Sequence, residues 1–208
     1  MRLPTPGEPT PPPLRADAAL NRRRILTAAR QQFTEHGAAM SLDGVARAAG
    51  VGVGTLYRRF GGRDALVSAL RDEALDGVCA VADRAARVDD PRDALRTLLV
   101  GLFELRSTDR AVDDVLAEAE RPVRDRHAAH PDRRTDVLRD TIAGLLASAT
   151  VSGAARPGFV ARDVSLLVRM AGAVVDVPSA RSPEPGARLR ATGFLLDGAL
   201  RCRRSAGP

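Results

Sequence analysis

The stretch SLDGVARAAGVGVGTLYRRFGG, residues 41–62, leaves few folds open. Two short apolar-periodic segments flank a turn rich in glycine. Ser41 is a strong helix N-cap, Asp43 falls in the first turn that follows it, and Gly50 is a natural stop. Leu42, Val45, Ala46 and Ala49 then form one apolar face. Gly50 is predicted to take the left-handed conformation that a Cβ would penalise, and Val51 to fill the space between the helices. Gly52 caps a second short helix, Val53 to Phe60. Two short helices joined by a tight glycine-containing turn make a helix-turn-helix. In the second helix Val53, Leu56 and Phe60 recur at i, i+3 and i+7 and face inward. Gly54, Thr55, Tyr57, Arg58 and Arg59 are left on the opposite side.

That outward set has the chemistry of a duplex reader. A major groove accepts a helix, whose N-terminal residues reach base edges. Thr55 offers a hydroxyl for hydrogen bonding and a methyl for thymine. Gly54 lets the backbone come close. Tyr57 brings a planar ring and a phenol able to bond base or phosphate. Arg59 and Arg63 stand where phosphates run past, contacts that position a protein without specifying sequence. A lone tyrosine more often seals a core edge with its hydroxyl wet. Here the surrounding helix-turn-helix and the local charge favour DNA.

The charge is unevenly spread. The chain has 208 residues and no lysine, so all 32 basic residues are arginine. Residues 1–71 carry 11 of them against 5 acids, whereas residues 72–208 carry 21 against 21. The whole surplus of +6 therefore sits in the first third. This asymmetry points to a polyanion-binding module joined to a neutral one. No run of about 18 apolar residues is present, so no membrane span is predicted. No basic segment followed by an apolar stretch opens the chain, and Cys79 and Cys202 have no C-x-x-C spacing. The expected compartment is the cytoplasm, with both cysteines as packed thiols.

Along the chain, Pro4 to Arg15 holds six prolines and reads as part of a disordered tail over residues 1–16. From Ala16 the pattern becomes helical, and a first helix is predicted from an Asn21 cap to a Gly37 stop, with Ile25, Leu26, Ala29 and Phe33 as its stripe. Further helical segments run from Arg63, from Pro91 at a first helical position, and from an Asp109 cap to Glu120. Residues 121–132 form a break, and helices follow from Asp132, Asp163 and Pro185. No alternating strand pattern appears. The expectation is an all-α chain of about nine helices, divided into residues 17–66 and residues 67–208.

Ile25 to Leu66, ILTAARQQFTEHGAAMSLDGVARAAGVGVGTLYRRFGGRDAL, resembles the DNA-binding domain of TetR-family transcriptional regulators. The likeness lies in the spaced Ala-Ala, Phe and Gly of the first helix, the VA…AGV of the second, and GTLYRRF in the third. It implies that Ser41 meets phosphate, that Asp43 approaches bases, and that Val53, Gly54, Thr55 and Tyr57 form the base-reading face. Arg59 stands where the family often has histidine and Arg63 where it often has lysine, both on phosphates. With Arg58 these make the expected DNA-binding set. Gly52 and Val53 depart from the polar cap and longer polar residue that many members carry, so methyl contacts and indirect readout gain weight. Gly44 inside the second helix costs about 1 kcal/mol relative to alanine.

Past about residue 75 the resemblance fades. It implies a helical domain that binds a small effector and forms a homodimer. The chain would then be a repressor holding a palindromic operator as a dimer and released by the effector. The helix beginning at Arg63 joins the two modules and is the natural lever. Leu102, Phe103, Arg106, Leu116, Arg169 and Met170 are the expected effector-pocket residues. Leu166, Met170, Val174, Phe194 and Leu195 belong either to a dimer seam or to intramolecular core. His127 and His130 read as a solvated loop, so no metal is expected, and no cofactor. G-x-S-x-G, P-loop, H-E-x-x-H and strand-bound G-x-G-x-x-G motifs are missing, and no catalytic residue is expected. A helical enzyme or a protein-interaction module using the helix-turn-helix as scaffold is the alternative. Salt titration against random DNA separates them.

Overall fold

The computed structural model describes residues 14–36, 39–121, 133–176 and 187–200. Among these, nine helices follow one another. They are α1 (Leu14–His36), α2 (Leu42–Ala49), α3 (Val53–Phe60), α4 (Arg63–Ala86), α5 (Pro91–Thr108), α6 (Ala111–Glu120), α7 (Arg133–Val151), α8 (Ala161–Asp176) and α9 (Ala187–Ala199). No strand forms among the described residues, and the one β-bridge pairs Ala155 with Leu200. The all-α expectation holds. The proline-rich segment up to residue 13, Gly37, His127, His130 and Cys202 lie outside the described residues.

Most helix ends follow local chemistry. The Ser41 Oγ accepts from the Gly44 N–H at 3.0 Å. Gly50 has φ 67° and closes α2 onto the carbonyls of Ala46 and Arg47. Asp90 caps α5, its carboxylate accepting from the N–H groups of Arg92 and Asp93 at 2.9 Å each, with Pro91 at the start. The Asp109 carboxylate accepts from the Ala111 N–H at 2.9 Å at the head of α6. At α8 the Asp163 carboxylate reaches back to the Val160 N–H at 2.9 Å, while the Asp163 N–H returns to the Val160 carbonyl at 2.9 Å.

One boundary differs from the sequence reading. Asn21 is not a cap: α1 begins seven residues earlier, at Leu14, and residues 14–16 belong to it rather than to a tail. Leu14, Arg15, Ala16, Ala18, Ala19 and Leu20 are strong helix formers, and Asp17 in the first turn complements the helix dipole. Their combined propensity outweighs one favourable capping residue.

The chain divides into two compact units, residues 1–69 and residues 70–208, with the division inside α4. The first unit is held by Ile25, Leu26, Ala28 and Ala29 of α1, Met40, Val45, Ala46 and Ala49 around α2, and Leu56, Phe60, Leu66 and Ala69, all buried. In the second unit α5 is central: Leu95, Leu98, Leu99 and Leu102 are fully enclosed, and Phe103 is buried beside them. Helices α6 to α9 pack against α5, and α4 contributes Ala74, Val78, Val81, Ala82 and Ala85 to the same core. A Cβ on Gly101 of α5 would come within 2.8 Å of Val81 Cγ1, so glycine permits the close approach of α4 and α5.

Candidate nucleic-acid interface

The turn between α2 and α3 is built from backbone bonds that glycine makes possible. The Val51 N–H donates to the Ala46 carbonyl at 3.0 Å, ending α2 tightly. Gly52 is extended (φ −71°, ψ 143°), and its carbonyl accepts from Thr55 and Leu56 at 2.9 and 3.2 Å, opening α3. Gly61, at φ 82°, closes α3 by donating to the Tyr57 carbonyl at 2.7 Å. Leu56 and Phe60 anchor α3 to the core of the first unit, and Val53 is half-buried.

The opposite face of α3 is open. Tyr57 is 51 % exposed, and Gly54, Arg58 and Arg59 are exposed with it. Thr55 is half-buried, and its Oγ1 accepts from Arg58 Nη2 at 3.3 Å. Ser41 and Asp43 are exposed at the start of α2, and Arg63 at the start of α4. The Ser41 hydroxyl spends an acceptor lone pair on its cap and keeps its proton to donate to a phosphate oxygen. The side chains of Thr55 and Tyr57 therefore stand on one short helix whose other face is fixed in the core. That is the geometry a groove-reading helix needs.

The profile described as "Bacterial regulatory proteins, tetR family" matches residues 25–70. Residues 25–70 are thus a DNA-binding segment of the TetR family type. Solved structures agree on the fold beyond the matched segment. A TetR transcription regulatory protein from Mycobacterium vanbaalenii is 26% identical, covering 90% of this chain and 99% of its own, with a TM-score of 0.53. A TetR transcriptional regulator from Streptomyces coelicolor is also 26% identical, covering 86% and 98%, with a TM-score of 0.52. The ketosteroid transcriptional regulator of Mycobacterium tuberculosis shares the fold at 21% identity, 86% and 96% coverage and a TM-score of 0.58. None of the curated proteins matches the chain significantly.

Two contacts of this TetR-family domain are not legible from sequence spacing. Arg59 Nη2 donates to the Ala18 carbonyl at 2.9 Å, forty-one residues away. The Arg22 guanidinium lies 5.2 Å from the centre of the Phe60 ring, a cation–π distance. Together they fasten the first half of α1 to the last turn of α3.

In the second unit the expected pocket residues separate. Leu102, Phe103 and Leu116 are core, and Arg106 is 3 % exposed, its Nε donating to Asp113 Oδ2 at 2.8 Å. A Cβ on Gly172 would come within 2.5 Å of Arg106 Cζ, so α8 leaves room for the guanidinium at that glycine. Arg169 and Met170 do not join these residues. The inward positions of α8 are Val164, Ser165, Val168 and Gly172, which turn Arg169 and Met170 outward. A cavity of about 320 Å³ instead opens between α4 and α7, with Cys79, Ala82, Val137 and Leu138 among its lining. Of the expected seam, Leu166 is 49 % exposed, Met170 55 % and Phe194 74 %, while Leu195 is half-buried and Val174 lies outside the described side chains.

Proposed function

We propose that the chain is a ligand-responsive repressor that binds a palindromic operator as a homodimer and is released by a small-molecule effector. The observation that carries this reading is the half-exposed Tyr57 on a helix whose inner face is anchored by Leu56 and Phe60. Ser41, Asp43, Val53, Gly54, Thr55, Tyr57 and Arg58 would meet one half-site, with Arg59 and Arg63 on its phosphates. Two such modules would span half-sites about 34–36 Å apart, or a multiple of that. Selection of duplexes from a random pool by the purified chain tests the reading. Enrichment of an inverted repeat is expected, and changing both Thr55 and Tyr57 to alanine should abolish the enrichment. Undiminished operator affinity in that double variant overturns it.

The dimer would form over the outward apolar residues Leu166, Met170 and Phe194. A second copy of the same face is its natural cover, because paired half-sites multiply affinity. Sedimentation should give a dimer at micromolar concentration and a monomer for Phe194→Arg. The effector would enter the α4–α7 cavity, whose volume is at the small end of ligand sites. A Val137→Trp variant should keep operator binding and lose release by any effector found by screening.

A further inference from the structure

Arg22, Arg23 and Arg24 are exposed residues of α1 that lie ahead of the family-matched segment, which begins at Ile25. Successive residues are about 100° apart around a helix with 3.6 residues per turn. Ile25, Leu26, Ala28 and Ala29 occupy the buried side. Arg22 falls in line with that side, one turn ahead of Ile25 and Leu26, with its guanidinium over Phe60. Arg23 and Arg24 follow on the solvent side, and neither has an ion-pair partner among the described residues. An arginine cluster without carboxylate partners carries a field that attracts a polyanion.

Its position is fixed. The Arg59–Ala18 hydrogen bond and the Arg22–Phe60 contact join this part of α1 to the C-terminal turn of α3. A helix seated in a major groove has phosphate backbones along both of its flanks. Whatever is tied to the end of that helix is carried to the backbone with it.

We propose that Arg23 and Arg24 form an additional, sequence-independent DNA-backbone contact, held against the recognition helix by Arg22 and Arg59. This inference rests on the DNA-binding reading and extends its footprint beyond the helix-turn-helix. Arg22 positions them, Arg59 does so through its Nη2 while its other donors stay available to phosphate, and Arg23 and Arg24 supply the added charge. Guanidinium groups suit the role because their planar forks match phosphate oxygens.

The test uses the full chain and a random-sequence duplex. Affinity is measured across a salt series for the wild type and for the Arg23→Gln/Arg24→Gln variant. Each phosphate contact contributes about 0.9 to the slope of log affinity against log salt. The variant should therefore lose about 1.8 from that slope and keep its ratio of selected-site to random-site affinity. Removing two arginines of the second unit, by Arg87→Gln and Arg156→Gln, should leave the slope in place. The proposal is overturned if the slope is unchanged in the first variant, if the second variant lowers it equally, or if the site preference itself shifts. A wild type with no salt-dependent DNA binding would overturn the parent reading instead.

Discussion

The two units solve different problems with the same secondary structure. The first presents chemistry outward: two eight-residue helices, a glycine turn, and most of the chain's positive surplus. The second turns its chemistry inward. Its charges nearly balance, and a fully buried leucine row on α5 sits beside the ion pair of buried Arg106 with half-buried Asp113. The first unit depends on termini and turns, which single residues control. The second depends on shape matching between helices, where each residue's partners lie far away in sequence.

The contrast can be broken experimentally. The largest effect is expected in the second unit. Leu99→Ala empties a fully enclosed position and should cost about 3 kcal/mol, read as a lower urea midpoint. A midpoint shift below about 1 kcal/mol would mean that α5 is not the centre of its core. Next comes Gly172→Ala, which presses a methyl onto a buried guanidinium and should cost about 2 kcal/mol. Adding Arg106→Met should recover part of that loss, and strict additivity in the double-mutant cycle would refute the close approach. In the first unit, Gly50→Ala forces a left-handed residue to carry a Cβ, at about 1 kcal/mol. Circular dichroism melting checks it. The smallest effect is Gly44→Ala, because about 1 kcal/mol of helix propensity is set against crowding. The new methyl would lie 2.9 Å from Gln32 Oε1 and 3.0 Å from Ser41 Oγ. A net change within about 0.5 kcal/mol by the same melting is the expectation.

How much the sequence disclosed follows the same division. The bounds of α3, the Ser41 cap and the Gly50 stop were legible, because each is set by neighbours two or three residues away. The start of α1 was not, since the proline run drew the boundary past a set of good helix formers. Gly44 looked like a defect until the Gln32 side chain of α1 was found against it. The meeting of Arg106, Asp113 and Gly172 joins three helices that no periodicity relates. Met170 was open to a pocket or a seam reading, and Arg169 to a pocket-anchor reading, because the run that holds them has two faces. Val164 and Val168 look in, while Leu166 and Met170 look out.

The exposed phenol of α3 has one more consequence. The chain contains a single tyrosine and no tryptophan, so near-ultraviolet emission comes almost wholly from Tyr57. Intensity, lifetime and polarisation of that light therefore describe one ring on one helix. The molecule arrives already labelled, and its own glow offers a gauge of whether that helix is bathed in solvent or pressed against a nucleobase.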